Sequence, residues 1–223
     1  MLDTGFQRIP GDVGNPVTFN YPVRYKIIKA ATAASIVHSE RPDIVLVNGF
    51  VDAARQLEAE GAIGLISSCG FLSVLQDDVA NAVSIPVILS SLSLIPIMQS
   101  SMGHKSVGVI AADQTQLSPD AFSIVNIEPD SVYVTGMQSS KAFTELIFDS
   151  SGKDPDKQRL CQDLVDTARK LLNTNPTISI LVLECTNLQP YAATLNKELK
   201  LPVVGIVNAA NLLWEISRPC DFQ

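Results

Sequence analysis

The chain has 223 residues, 46% of them hydrophobic and 17% charged, which supports a sizeable core and excludes intrinsic disorder. Its formal net charge of −7 argues against a nucleic-acid binder, which would want clustered Lys and Arg, and suits an anionic membrane surface poorly. Four cysteines make no disulfide scaffold, and the opening MLDTGFQRIP carries no secretory signal, so a soluble cytoplasmic protein with reduced thiols is expected.

In chain order, a β-rich run predicts a strand over 24–28, then helical spacing predicts a helix over 49–59 that Glu60-Gly61 stops. A strand over 64–67 leads into a helix over 70–83, and a strand over 87–89 into a helix over 91–101. Further on come strands over 107–111 and 132–135 and a helix over 157–173. A strand over 179–183, a helix over 189–199, a strand over 203–207 and a helix over 209–216 complete the chain. Between Val79 and His104 no side chain is charged if His is neutral, but Pro86, Pro96 and several serines suit a buried strand and helix better than a membrane span. Several strands are nearly continuous apolar runs, as in parallel sheets covered on both faces.

The strongest organisational signal is an internal repeat. Cys69 precedes Pro86 by 17 positions, and Cys185 precedes Pro202 by the same 17. Apolar residues match between the two stretches at Leu72 and Leu188, Val79 and Leu195, Val83 and Leu199, a spacing that marks one helix face. The repeat predicts two similar flavodoxin-like α/β domains with parallel sheets, related by pseudo-two-fold symmetry around a cleft. Residues 1–90 with 204–223 form the first domain and 91–203 the second. The strand that ends at Asp113 has a counterpart ending at Asp3. Only Met1 and Leu2 precede Asp3, so most of that first strand is expected to lie outside the sequence.

The sequence has no G-x-G-x-x-G, no Walker A motif and no G-x-S-x-G elbow. His38 reads as a solvated helix end and His104 as a turn, neither at metal-ligand spacing, so no metal site is expected. Cys161, in a helical run, and Cys220, in the tail, read as small hydrophobes. Cys69 and Cys185 stand apart because each ends a parallel strand just before a helix, the edge where open α/β sheets bind ligands. A buried hydrophobe is the commoner fate of a free cysteine, and it is the matched placement that tips these two toward function. Helix N-termini there favour thiolate. Two thiols facing one carbon could remove a proton beside a carbonyl and return one on the opposite face, while backbone N–H groups steady the enolate.

At these residues the chain resembles the aspartate/glutamate/hydantoin racemase superfamily over nearly its whole length. The first motif is Ser-Ser-Cys69-Gly70-Phe71, the second Leu-Glu-Cys185-Thr186-Asn187-Leu, and Asp3-Thr4-Gly5 looks like the Asp-Ser-Gly that ends the first strand of glutamate racemases. The resemblance implies a cofactor-independent racemase or epimerase, commonly a homodimer, with Cys69 and Cys185 as paired acid and base. By the same resemblance Asp3 tunes a thiol or holds a substrate amino group, Thr4 offers a hydroxyl, and Thr186 and Asn187 contact the substrate carboxylate. Amino-acid racemases of the family carry Cys-Asn-Thr at the first site, so Gly70 and Phe71 depart from the pattern and leave room for a hydantoin-like substrate. Asn15, in the Pro10-Gly11-Asp12-Val13-Gly14-Asn15-Pro16 loop, reads equally as a substrate contact or as part of a tight turn. Alternatives are a maleate-isomerase-like activity, an arylmalonate-decarboxylase-like one (which a second cysteine argues against), and a two-lobed binding protein without catalysis.

Overall fold

The computed structural model describes residues 1–103, 105–148 and 156–218, so His104 and Cys220 lie outside the described residues. It is an α/β structure whose strands pair in parallel. β1 (Leu65–Ile66) pairs with β2 (Val87–Ile88) in one sheet. The other has the order β4-β3-β5-β6, with β3 (Ser106–Ala111) and β5 (Ile178–Leu183) central, β4 (Val132–Gly136) on one edge and β6 (Val203–Val204) on the other. From Val107 to Ala111 every residue of β3 is buried, because helices cover both faces of the sheet and leave no polar side to alternate with.

Nine helices are assigned among the described residues: α1 (Ala33–Ile36), α2 (Ile44–Ala59), α3 (Gln76–Ala80), α4 (Ile95–Ser101), α5 (Asp120–Ser123), α6 (Lys141–Phe148), α7 (Lys157–Thr174), α8 (Ala192–Leu199) and α9 (Ile206–Ser217). After β6 the chain returns to the first sheet, where α9 packs against β1 and β2.

The elements differ from expectation at places with identifiable causes. The helix expected from 49 begins at Ile44, because Asp43 caps it by accepting the Val45 and Leu46 N–H groups (2.8 and 2.9 Å). The helices expected over 70–83, 91–101 and 189–199 each open with a 3-10 turn: Gly70–Leu75, Ser91–Leu94 and Thr186–Tyr191. The strand expected over 203–207 stops at Val204, since Gly205 already turns the chain into α9. The stretch 24–28 is not a strand; among the described residues it is tied to the first residues by a bridge from Leu2 to Ile28 and by the bond from the Met1 nitrogen to the Lys26 carbonyl. Three short helices, α1, α5 and α6, were not expected.

Candidate active site

The 3-10 turns that follow Cys69 and Cys185 bring both cysteines to one place. Each is the residue before its turn, in extended backbone, and each is buried (8% and 7% exposed). Both line a single cavity of about 20 Å³, walled also by Thr4, Phe6, Phe71, Ile147 and Glu184. That is room for little more than a water molecule.

The strand ends carry matching hydrogen bonds. Leu2 N–H donates to Ser68 Oγ (3.0 Å), and Ala112 N–H donates to Glu184 Oε2 (3.2 Å), Ser68 and Glu184 being the residues just before the two cysteines. Ser67 Oγ accepts the Cys69 N–H (3.1 Å) and donates to the Leu89 carbonyl (2.5 Å), fixing the first cysteine's backbone to the end of β2. Thr186 Oγ1 donates to the Ser68 carbonyl (2.7 Å), so one cysteine's loop is tied directly to the other's.

Three residues of this site stood out only weakly or not at all in the sequence. Glu184 is fully buried, its Oε1 unpartnered, and burial pushes its carboxyl up to about 8 against the opposing Ala112 hydrogen bond. A charged residue at the end of the apolar run Ile178–Leu183 was the signal for it. Arg8 pairs with Asp12 (3.1 Å, side chains 13% and 4% exposed), donates to Thr4 Oγ1 (2.8 Å) and lies 4.4 Å over the Phe6 ring. Asp12 in turn accepts from Asn187 Nδ2 (3.0 Å), whose Oδ1 takes the Cys185 thiol at 3.8 Å. Their loop is Gly- and Pro-rich, and only its packing reveals its direction: Gly11, at φ +95°, sits where a Cβ would meet Pro190 Cα at 2.8 Å.

The expected site residues divide accordingly. Thr4, Cys69, Phe71, Cys185, Thr186 and Asn187 line the cavity. Gly70 is buried beside it with no room for a side chain, since an added Cβ would strike the Glu184 carbonyl and carboxyl; Asn at this position is excluded by the same contact. Asp3 is exposed, its N–H donating to the Ala31 carbonyl (2.8 Å), and does not line the cavity. Asn15 does not line it either. Its Oδ1 accepts the Val17 N–H and its Nδ2 donates to the Arg8 carbonyl, both bonds within its own loop region. The thiols also depart from the expected lowering by helix ends. Burial first, then the Glu184 charge, pushes Cys69 up to about 12 and raises Cys185 as well, outweighing N–H donors from Phe71 and Leu72 to Cys69.

No family model matches the chain. Over 217 residues it is 28% identical to a dimethylsulfoniopropionate lyase of Durusdinium sp. clade D, covering 94% of this chain and 71% of that protein. It is 27% identical over 220 residues to dimethylsulfoniopropionate lyase 7 of Emiliania huxleyi (strain CCMP1516), spanning 63% of its length, and equally similar to lyase 3, spanning 56%. Among solved structures, a glycine-to-cysteine mutant of arylmalonate decarboxylase in its sulfate-associated form aligns at a TM-score of 0.59 and 16% identity, over 98% of this chain and 94% of that one. An aspartate racemase homologue from Pyrococcus horikoshii OT3 aligns at 0.52 and 17% identity, over 78% and 73%. The named relatives at the sequence level are enzymes. The chain therefore shares its fold with arylmalonate decarboxylase and with this aspartate racemase homologue.

Proposed function

We propose that this protein is a lyase in which one thiol of the Cys69–Cys185 pair, Cys69, removes a proton beside a carboxylate and a β-substituent is expelled, releasing dimethyl sulfide from dimethylsulfoniopropionate. The observation that carries it is the enclosure of both thiols in one cavity with aromatic and aliphatic walls. A thiolate takes the C2 proton; that electron pair becomes the C2–C3 double bond as the C3–S bond breaks; sulfur leaves with its pair as neutral dimethyl sulfide. Acrylate remains, and the thiol passes its proton to solvent. Phe71 suits a sulfonium and its methyl groups, since a cation is held by an aromatic face, while Arg8, over the Phe6 ring, suits the carboxylate end. Burial keeps Cys69 protonated, and a permanent cation bound beside it favours the thiolate that takes the proton. The dimethylsulfoniopropionate lyases that align with the chain support this choice of substrate.

Inversion at the α-carbon of an amino acid or hydantoin is the second reading. Two thiols on one cavity favour it, because inversion requires a donor and an acceptor whereas elimination requires one base. Incubation with dimethylsulfoniopropionate, with headspace dimethyl sulfide and solution acrylate measured together, separates the two. Equal amounts of both products are expected, with loss of at least about a hundredfold in Cys69→Ala, which removes the base of the elimination. No dimethyl sulfide, with racemisation of an amino acid or hydantoin from a panel, would replace elimination by inversion. The panel is run in deuterated water so that label at the α-carbon reports proton abstraction.

A further inference from the structure

Two carboxyl groups are buried around the cysteines, and they are served very differently. Asp12 accepts from Arg8 (3.1 Å), the Gly14 N–H (2.7 Å) and Asn187 Nδ2 (3.0 Å). Glu184 lines the cysteine cavity, and its Oε2 accepts the Ala112 N–H (3.2 Å), while its Oε1 has no partner among the described residues. That oxygen lies against Gly70, where a side chain at position 70 would begin, on the turn that directly follows Cys69. A buried carboxyl oxygen without a partner either carries charge at heavy cost or bears the proton. With Oε2 as the acceptor, Oε1 carries the hydrogen, a donor that nothing in the protein receives.

Such a donor meets a need of proton removal beside a carboxylate, the reading on which this inference rests. As the C2–H bond breaks, its electron pair spreads onto the carboxylate oxygens and a second negative charge develops there. Most donors near the sulfurs are already committed. The Phe71 and Leu72 N–H groups serve Cys69, the Asn187 N–H serves Cys185, and Thr186 Oγ1 donates to the Ser68 carbonyl. Arg8 brings a full positive charge, but Asp12 beside it offsets that charge. A protonated carboxyl adds a donor without adding an ion that a buried site would have to stabilise.

We propose that Glu184 is a catalytic residue that donates a hydrogen bond from Oε1 to a carboxylate oxygen of the substrate while Cys69 takes the C2 proton. The bond strengthens as charge collects on that oxygen. It relaxes when the C3–S bond breaks and the electron pair moves into the C2–C3 double bond. The proton stays on Glu184 throughout, so the carboxyl ends the cycle as it began. Up to about pH 8 Glu184 holds this proton, and above that it becomes an anion that repels the substrate carboxylate. The other charged or titratable groups around it are Cys69, Cys185, the Arg8–Asp12 pair and Asp113, whose Oδ1 accepts the Thr115 N–H (2.8 Å). Burial raises both thiols, Cys69 to about 12, so the carboxyl changes charge before either thiol as pH rises.

Propionate, the substrate's carbon skeleton without its leaving group, is the probe, titrated calorimetrically into the full chain from about pH 7 to about pH 9.5. Its Kd is expected to hold steady to about pH 8 and then to rise toward tenfold per pH unit. In Glu184→Gln, whose amide still donates, the Kd is expected to stay level across the range and within about threefold of the parent at about pH 7. A parent Kd that ignores pH, an equal rise in both proteins, or no propionate binding would overturn the proposal. Dimethyl sulfide release supplies the second readout. At about pH 7 the kcat of Glu184→Gln is expected within about tenfold of the parent, and that of Glu184→Met, which has no donor, about a hundredfold or more below it. A larger loss in the Gln variant would make Glu184 a base, and a Met variant equal to it would make the donor idle; either overturns the proposal. If Glu184→Met does not fold, the Gln variant and the propionate titration decide. If the parent releases no dimethyl sulfide, the elimination fails, while the propionate titration still decides the role of Glu184.

Discussion

Enclosed beside two thiols, the Glu184 carboxyl keeps its proton up to about pH 8 because no solvent reaches it to stabilise the charge. The unfolded chain gives up that proton near 4.3, so between about 4.3 and about 8 the folded form holds more protons and stability falls as pH rises. Glu184→Gln keeps an acceptor for Ala112 and removes the titration. Its Tm is expected to stay level from about pH 5 to about pH 8, where that of the parent declines, and an equal decline in both would refute the assignment. Gly70 is constrained by the same carboxyl. Gly70→Ala is expected to lower stability by about 1–3 kcal/mol, read as a shift of the urea midpoint at unchanged slope. Cys161 is only partly buried, packed against the core, and Cys161→Ala should leave turnover within about twofold of the parent. The paired cysteines were legible from spacing alone. Asp12 and Arg8 were not, because their importance lies in partners contributed by a loop whose path no periodicity encodes.

Among the elements, the core strands were readable because a parallel strand covered on both faces leaves an unbroken apolar run in the sequence, as in β3 and β5. Helix α2 was readable only from its middle. Its first residues, Ile44 and Val45, are β-branched and exposed (67% and 75%), so they break the helical pattern of buried and solvated positions that the rest obeys. Asp43 carries the start instead, and Asp43→Ala should cost about 1 kcal/mol, seen as a lower midpoint in urea. The 3-10 turns after the cysteines share the apolar spacing of a helix, which hides the tighter first turn. Helix α6 was missed although Ser140 Oγ accepts the Phe143 N–H (3.2 Å), a start signal that a lone serine in a Ser-Ser pair gives only faintly.

At the scale of the whole molecule, the repeat was the most legible feature, since matched cysteines and prolines survive where little else does. How the halves meet was not legible, because it depends on bonds such as that from Thr186 to Ser68, two polar residues with ordinary neighbours. Thr186→Val leaves the buried Ser68 carbonyl without this donor and should lower stability by about 1–3 kcal/mol. The loss is expected in one cooperative calorimetric transition; two separated transitions would mean the halves unfold independently.

The smallness of the cysteine cavity has a kinetic consequence. With only about 20 Å³ beside the sulfurs, a reagent larger than water is expected to reach them when lining side chains such as Thr4, Phe6 and Ile147 move aside. That wall is wired to the chemistry: Thr4 holds Arg8, Arg8 holds Asp12, Asp12 holds Asn187, and Asn187 takes the Cys185 thiol. Admission and thiol orientation thus share one chain of hydrogen bonds, and loosening the first disturbs the second. Alkylation of Cys185 should therefore approach a ceiling as reagent concentration rises, with the ceiling equal to the opening rate and the same for every reagent small enough to pass.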